Sequence, residues 1–131
     1  MVLAGKTVRD SKVVILGLTF KENCHDTRNS KVVDVIRRLE EYGIKPVVID
    51  PWADSEMAMH EYGVELKAMD EALDADCIII AVAHDEFKAM SLGELKSYYK
   101  AGLDEEKILI DVKGLYSISE LKESGIYWWR L

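Results

Sequence analysis

Four short aliphatic runs, each followed within two residues by a glycine or a polar residue, constrain this fold most strongly. They are residues 13–16, 46–49, 77–82 and 108–110, followed by Gly17, Asp50, His84 and Asp111. Short, nearly continuous, β-branched runs are typical of strands that are covered on both faces of a parallel sheet. A weaker strand is predicted at residues 64–66 and a last one at residues 126–131, which makes about six strands.

Amphipathic segments separate these runs. Val32, Val35, Ile36 and Leu39 recur at helical spacing, with Ser30 as a candidate N-cap and Gly43 as a stop. Helices are also predicted at residues 54–62, 70–75 and 91–99, and the capping-box spacing from Ser117 to Glu120 predicts a short final helix. Strands that alternate with helices predict right-handed βαβ units. The fold class is therefore α/β, a doubly wound, mostly parallel, Rossmann-like sheet with helices on both faces.

The composition sets the class of protein. A chain of 131 residues is about one domain, and we predict that this domain covers residues 10–131. Residues 1–9 do not fit a strand and are predicted to be the tail of an upstream helix or a linker. The net charge of −7 argues against general nucleic-acid binding. No run is long and apolar enough for a membrane span, and two cysteines make no disulfide framework, so we expect a cytoplasmic protein.

The connection after the first strand is the main candidate site. In open α/β sheets, ligands bind outside the carboxyl ends of the strands, where the strand order reverses. Residues 18–29 form a connection of twelve residues, whereas such loops usually have about 2–6. Lys21 and Arg28 would lie beside the N-terminus of the following helix, an arrangement suited to an anion. The alternative is a surface loop with solvated charges.

The usual dinucleotide fingerprint is absent. After the first run only Gly17 is present, and a GxGxxG pattern needs two further glycines. Asp50 ends the second run, where an acid often holds a ribose, but with Pro51 after it the residue equally suits a turn. The fold thus suggests a nucleotide ligand, but the sequence lacks the motif by which such folds usually bind NAD.

The same connection carries a recognisable motif. Residues 17–30, GLTFKENCHDTRNS, resemble the G-L-x-F-K-x-x-x-x-D-x-R-x-S/T segment of the UDP-glucose/GDP-mannose 6-dehydrogenase family, at the start of its C-terminal UDP-binding domain. Further matching motifs lie at residues 48–51, 83–87 and 110–114. The resemblance spans about residues 10–131 and is strongest to the branch that oxidises UDP-N-acetylhexosamines in polysaccharide biosynthesis.

The resemblance implies roles for individual residues. Phe20 and Lys21 match a pair that contacts the nucleotide-sugar substrate, and Arg28 matches an arginine that reaches NAD across the interdomain cleft. Lys113 stands where many relatives have a substrate-contacting arginine. A lysine keeps the positive charge but cannot donate the two parallel hydrogen bonds of a guanidinium. Asp26 is expected to orient Arg28 or to brace the loop.

The resemblance also implies what this chain does not supply. In the family, the NAD-binding domain and a central helical segment precede this region and contain the catalytic thiol, so NAD would be bound mainly there and the parent enzyme would be an oligomer. We expect no catalytic residue and no metal ligand here. Cys24 is predicted to be a partly buried free thiol, Cys77 a core residue and His84 a structural hydrogen-bonding residue. The fragment would bind a UDP-sugar without oxidising it.

Two other functions remain open from the sequence. One is a stand-alone nucleotide-sensing or NAD-binding module. The other is a phosphoacceptor domain, since Asp50 and Asp111 both end strands, although the run at residues 77–82 does not end in the acceptor aspartate that such a domain needs. Trp128 and Trp129 would point to opposite faces of the last strand, and an exposed tryptophan would mark where other domains or a second subunit dock.

Overall fold

A computed structural model describes residues 11–19, 21–28 and 30–130. The sheet has five strands, which are β1 (Val13–Leu16), β2 (Val47–Ile49), β3 (Cys77–Ile80), β4 (Ile108–Asp111) and β5 (Tyr127–Arg130). The strand order is β2-β1-β3-β4-β5 and every neighbouring pair is parallel. This is one of the two common doubly wound orders, so the predicted fold class is confirmed.

The register brings the carboxyl ends of the strands to one edge. Leu16 of β1 pairs with Ile49 of β2 and with Ile80 of β3, and Ile80 pairs with Asp111 of β4. The chain leaves β1 toward β2 on one side, and the later strands are added on the other side. The strand order therefore reverses between β1 and β3, and the loops after both strands lie at that point.

The helices pack as two layers against this sheet. They are α1 (Val32–Glu41), α2 (Ser55–Tyr62), α3 (Asp85–Lys88), α4 (Leu92–Lys96) and α5 (Ile118–Ser124), with 3₁₀ turns at Met69–Ala72 and Asp104–Glu106. Alternate strand residues point to opposite faces. Val13, Ile15 and Ile79 pack with residues of α1 and α2, whereas Leu16, Ile78 and Leu109 pack with residues of α4 and α5 on the other face.

Local end signals predicted most helix boundaries. Asp54 accepts hydrogen bonds from the amides of Glu56 and Met57 at the start of α2, and Gly63 ends that helix in the left-handed region. Ser117 accepts the amide of Glu120 at the start of α5, as the capping-box spacing predicts. The helix predicted at residues 91–99 is shorter, covering Leu92–Lys96, but it does begin at the Ser91 cap.

Three local predictions differ from the structure. The helix predicted at residues 70–75 is a 3₁₀ turn over Met69–Ala72. Ser30 is not the N-cap of α1, because that position belongs to Lys31 and the Ser30 hydroxyl donates instead to the Leu18 carbonyl, at 2.5 Å. Residues 64–66 form only an isolated bridge, Val48 to Leu66, since the chain turns away into the 3₁₀ turn at Met69–Ala72. The prediction for residues 1–9 lies outside the described residues. Within the described part, no helix is long and apolar enough to cross a membrane.

Candidate functional site

The loop at residues 18–29 is fastened to the end of β2 by one buried carboxylate. Asp50 Oδ2 accepts the amides of Leu18 at 2.6 Å and Thr19 at 3.0 Å. Asp50 Oδ1 accepts the amides of Trp52 at 2.8 Å and Ala53 at 2.9 Å, which shapes the turn after β2. One side chain therefore fixes both loops, and the side chain of Asp50 is fully buried.

His84, just after β3, joins the same network. Its Nε2 lies 2.9 Å from Asp50 Oδ2 and 3.2 Å from the Thr19 hydroxyl, while its Nδ1 accepts the amide of Asn23 at 2.9 Å. Because an amide can only donate, Nδ1 carries no proton in this arrangement. These contacts suit a ring whose proton is on Nε2 and directed at Asp50, and the predicted structural hydrogen-bonding role of His84 is confirmed.

Asn23 completes the attachment of the loop to the end of β3. Its backbone is in the left-handed region, with φ 54°, a conformation that asparagine tolerates better than most residues. This turn directs its amide to His84, and its side-chain Oδ1 accepts the amide of Asp85 at 3.0 Å. The loop after β1 is thereby tied to the loops after β2 and β3.

Aromatic rings cover this polar network. Trp52 stacks with His84 at a centroid distance of 6.2 Å, and Phe87 of α3 approaches the same ring at 5.6 Å. The indole Nε1 of Trp52 donates to Glu86 at 2.8 Å, and its carbonyl meets the His25 ring nitrogen. Shielding from water strengthens the buried hydrogen bonds of Asp50 and makes a lost partner there costly.

The charge state of Asp50 follows from these contacts. Burial by itself raises the pKa of Asp50, but the amides of Leu18, Thr19 and Trp52 and the His84 ring stabilise the carboxylate, and the net pKa is lowered. Asp50 is therefore an anion at neutral pH whose acceptor capacity is used by protein groups. It has no free oxygen left for a ribose hydroxyl, whereas its predicted alternative role as a turn former is confirmed.

A cleft of about 210 Å³ lies between the ends of β1 and β3 on the α1 face. Apolar residues such as Ile15, Val32 and Ile79 line its floor, and Thr19, Lys31 and Lys113 also line it. Lys31 and Lys113 are exposed. Lys31 stands at the start of α1, whose positive dipole end favours an anion. The cleft thus combines an apolar floor with two cations at the point where strand order reverses.

The predicted site residues do not all lie at this cleft. Among the described ones, Lys113 lines it, whereas Lys21 and Arg28 do not. Lys21 is exposed, and its carbonyl accepts the Thr19 hydroxyl at 2.9 Å. Phe20 lies outside the described residues. Cys24 is a half-buried free thiol and Cys77 is a buried core residue at the start of β3, as the sequence predicted for each.

Arg28 is directed by Asp26, as the sequence suggested. The guanidinium Nε and Nη2 donate to the two oxygens of Asp26 at 3.0 and 3.1 Å, and the Arg28 amide donates to Oδ1 at 2.9 Å. The Arg28 hydrogen bond lowers the pKa of Asp26, and the same bond raises the pKa of Arg28. Arg28 remains exposed, so its outer edge is available to a ligand.

The loop after β1 lacks the glycines of a dinucleotide cradle. Gly17 has φ +107°, and a Cβ at this position would lie 2.5 Å from Cβ of Val82, just after β3. In a GxGxxG loop it is the second glycine that lets the backbone approach the pyrophosphate, and residues 18–29 contain no glycine. Together with the fully used Asp50, this geometry does not fit an NAD site of the usual kind within the described residues.

Sequence reasoning missed two residues of this site. Lys31 was not singled out from the sequence, yet this residue lines the cleft. Its position at the start of the helix that follows β1 is the signal that could have identified it. Asn23 gave no comparable signal, because its two contacts are with residues 61 and 62 positions further along the chain.

Comparison with known proteins gives a consistent family. Residues 14–118 match the family model described as UDP-glucose/GDP-mannose dehydrogenase family, UDP binding domain. The UDP-N-acetyl-D-glucosamine 6-dehydrogenase of Pseudomonas aeruginosa is 47% identical over 108 residues, which are 82% of this chain and 25% of that protein. The enzyme of the same name from Salmonella typhi is 38% identical and is matched over 86% of this chain and 26% of its own length.

Solved structures agree with this assignment. The NDP-N-acetyl-D-galactosaminuronic acid dehydrogenase of Methanosarcina mazei superposes with a TM-score of 0.80 over 96% of this chain at 23% identity, a likeness of fold. A UDP-glucose dehydrogenase from Pyrobaculum islandicum gives a TM-score of 0.65 over 92% of this chain at 30% identity. The chain spans about a quarter of the length of these proteins. On the family match and the shared architecture, this chain belongs to the UDP-glucose/GDP-mannose dehydrogenase family and corresponds to its UDP binding domain.

Proposed function

We propose that this chain binds the UDP portion of a nucleotide sugar at the cleft between the ends of β1 and β3. The observation that carries the proposal is the meeting of Thr19, Lys31 and Lys113 at this cleft, beside a loop that Asp50 and His84 hold in place. The lysines would neutralise the diphosphate. A site for a drug-sized ligand occupies about 300–1,000 Å³, so a cleft of about 210 Å³ would hold only part of the nucleotide sugar.

Individual contacts follow from the match of the loop to the family motif. Lys21 and Phe20 would contact the substrate from loop 18–29, and Lys113 would contact it from the loop after β4. Lys113 supplies a point charge where an arginine would give two parallel bonds. Its place at the rim of the cleft, near Thr19 and Lys31, supports this role.

The parent enzyme would be an NAD-dependent UDP-sugar 6-dehydrogenase that oxidises the C6 alcohol to a carboxylate. A UDP-N-acetylhexosamine is the favoured substrate because the bacterial relatives with the identities given above carry that activity in their names, and UDP-glucose is the alternative. Holding the remote nucleotide would position the sugar for reaction elsewhere in the enzyme, which lowers the entropic part of the barrier. NAD would be bound mainly by another domain, with Arg28 as the contribution of this chain.

The open apolar face of the sheet supports an interdomain role. Ile108, Ile110, Tyr127 and Trp129 line a cleft of about 220 Å³ together with Leu39 of α1, and Trp129 is exposed whereas Trp128 packs against the core on the other face. Exposed apolar patches are typical of docking surfaces. We propose that the remaining domains of the parent, itself a homo-oligomer, pack here, and Trp129→Ser in the parent should weaken that packing, as measured by limited proteolysis between domains.

Calorimetry on the chain tests the binding proposal. UDP should bind, and Lys21→Ala and Lys113→Ala should each weaken binding by about fivefold to tenfold, since a charge-assisted hydrogen bond contributes about 1–3 kcal/mol before solvent screening. Lys100→Ala is the matched control, because Lys100 is an exposed lysine whose amide bonds to Ala75, at the opposite edge of the sheet. Absence of heat at millimolar UDP would refute the proposal. Tighter binding of NAD than of UDP would favour the stand-alone NAD-binding module instead.

Turnover is tested separately. With NAD and a UDP-sugar, the 131-residue chain should form no NADH, because the catalytic thiol is expected in another part of the parent. Cys24→Ser should leave UDP binding unchanged, since Cys24 contacts only the amide of Asp26 through a 3.5 Å bond among the described contacts. NADH formation that Cys24→Ser abolishes would overturn this assignment.

A further inference from the structure

We propose that Asp50 and His84 are positioning residues that hold loop 18–29 in its ligand-binding conformation, and that binding requires the neutral form of His84. This inference rests on the proposed function, since it deepens the role of the same loop. It starts from the position of the two side chains. Both are fully buried, neither lines the cleft that contains Lys113, and both bond to the loop that carries Lys21.

The geometry specifies one proton arrangement. Nε2 of His84 has an anion at 2.9 Å, which requires a donor at that nitrogen. Nδ1 has the amide of Asn23 at 2.9 Å, which requires an acceptor. The neutral ring with its proton on Nε2 satisfies both contacts, and neither the other tautomer nor the imidazolium does.

The groups that face His84 make this arrangement sensitive to one proton. From the end of β2 the facing groups are the Asp50 carboxylate and the Trp52 ring, from loop 18–29 the Thr19 hydroxyl and the Asn23 amide, and from α3 the Phe87 ring. Asp50 is the one charged group among these described contacts. A protonated ring would keep its attraction to Asp50, but its new N–H at Nδ1 would point at the N–H of Asn23.

The consequence concerns the loop rather than the whole fold. Two donors cannot share the 2.9 Å separation of Nδ1 and the Asn23 nitrogen without losing a hydrogen bond and leaving a polar group unpaired. Asn23 would turn away and release its side-chain bond to the amide of Asp85. The segment that carries Lys21 would then be ordered only on binding, and affinity falls when a ligand must pay for ordering a loop.

The experiment measures binding of UDP-N-acetylglucosamine by calorimetry on the wild-type chain between about pH 8 and about pH 5.5, the interval in which histidine side chains titrate in proteins. A UDP-sugar is used because its diphosphate is a diester and lacks the terminal phosphate that titrates near pH 6 in phosphate monoesters. We expect the dissociation constant to rise about tenfold toward acid pH, the change that corresponds to one lost hydrogen bond.

Two variants separate positioning from simple support of the fold. In His84→Gln the amide oxygen can accept from Asn23 and the amide nitrogen can donate to Asp50, without a titrating group, so affinity should be retained and its pH dependence lost. His84→Leu should weaken binding about tenfold at every pH. His60→Gln is the control, because His60 is exposed on α2, and it should keep the wild-type profile.

The outcomes are distinguishable. No binding by the wild-type chain at about pH 8 would refute the proposed function and this inference with it. Binding with the same pH profile in wild type and His84→Gln would refute the inference alone. Nitrogen-15 chemical shifts of the wild-type His84 ring give a second test that needs no variant. They should show an unprotonated Nδ1 at neutral pH, and a protonated Nδ1 would overturn the proposal.

Discussion

Asp50 and Asp111 are both buried aspartates at the carboxyl edge of the sheet, one at the end of β2 and one at the end of β4, yet they connect different amounts of structure. Asp111 accepts the amides of Leu115 and Tyr116, four and five residues further along the chain, both at 3.0 Å. Asp50 accepts from Leu18, 32 residues away, and from His84, 34 residues away, as well as from its own turn. Asp111 shapes one loop, whereas Asp50 joins three.

This difference shows how a buried acid can be interpreted. Burial and position at the carboxyl edge of the sheet are common to both residues, so neither property distinguishes an acid that joins several loops from one that shapes a single turn. The distinguishing property is the sequence distance that its hydrogen bonds span. A carboxylate that bonds across the point where strand order reverses fixes the loops on both sides of it, and a ligand loop held in advance costs less to order on binding.

The largest effect is expected from removing the long-range acid. Asp50→Ala leaves five donors without their acceptor, those of Leu18, Thr19, Trp52, Ala53 and His84. We expect the free energy of unfolding to fall by about 3–5 kcal/mol, the usual effect of breaking a buried charged network, and the amides of Leu18 and Thr19 to lose protection from hydrogen exchange. Urea denaturation and native-state exchange measure the two effects.

Asp111→Ala is the matched change at the other acid. It leaves two amides without an acceptor, and we expect a loss of about 1–3 kcal/mol with unchanged exchange at Leu18 and Thr19. Equal losses in the two variants, or faster exchange at Leu18 in Asp111→Ala, would mean that the long-range bonds of Asp50 contribute nothing beyond those of its own turn.

The next prediction concerns Gly17, the residue at which the chain leaves β1. Gly17→Ala should destabilise the chain by about 3 kcal/mol or more, because the left-handed backbone disfavours a side chain and the new Cβ would meet Val82 Cβ at 2.5 Å. Gly63→Ala is the control, since Gly63 has φ +66° and open space around it, and it should cost about 1–2 kcal/mol. Thermal denaturation of both variants checks the difference, and equal losses would show that contact with Val82 contributes nothing.

The sequence predicted the parts of the fold that local signals specify. The strands follow from short β-branched runs, and the starts of α2 and α5 follow from Asp54 and Ser117, whose caps act within three residues. Ser30 failed as a predicted cap because a distant partner, the Leu18 carbonyl, competed for its hydroxyl. A preference read from neighbours along the chain does not include such a competitor.

For the candidate site, the sequence predicted which loops lie together but not how they are held. The positions of the loop after β1 and of Lys113 follow from the strand order and the motif. The hydrogen bond between Asp50 and His84 does not follow from the sequence, because 34 residues separate the two side chains. Each residue could also be explained by a role within its own turn. For Asp50 the turn role was foreseen, and the bonds to Leu18 and Thr19 required the register of β1 beside β2.

A smaller effect is expected from acid. Because the folded pKa of Asp50 is lowered, its contribution to stability is fully present above the unfolded pKa, about 3.9, and is lost as the pH falls through the folded pKa. Unfolding midpoints measured from about pH 6 down to about pH 3 should fall more steeply in wild type than in Asp50→Asn. Asp26 and Asp104 also have lowered pKa values, so both proteins should retain a slope, and identical slopes would contradict a special role for Asp50.

The smallest effect on stability is expected from breaking the exposed ion pair between Asp26 and Arg28. Asp26→Asn removes an ion pair that is open to solvent, and exposed pairs contribute little because water and salt screen them. The thermal midpoint should be unchanged within error, and the released Arg28 should sample more orientations. If Arg28 contacts NAD in the parent enzyme, Asp26→Asn in that enzyme should raise the KM for NAD. The stability of this domain should stay the same. A clear drop in the thermal midpoint would mean that Asp26 also stabilises the loop, as Asp50 does. The buried hydrogen bonds of Asp50 and the exposed Asp26–Arg28 pair would then not differ in their effect on stability.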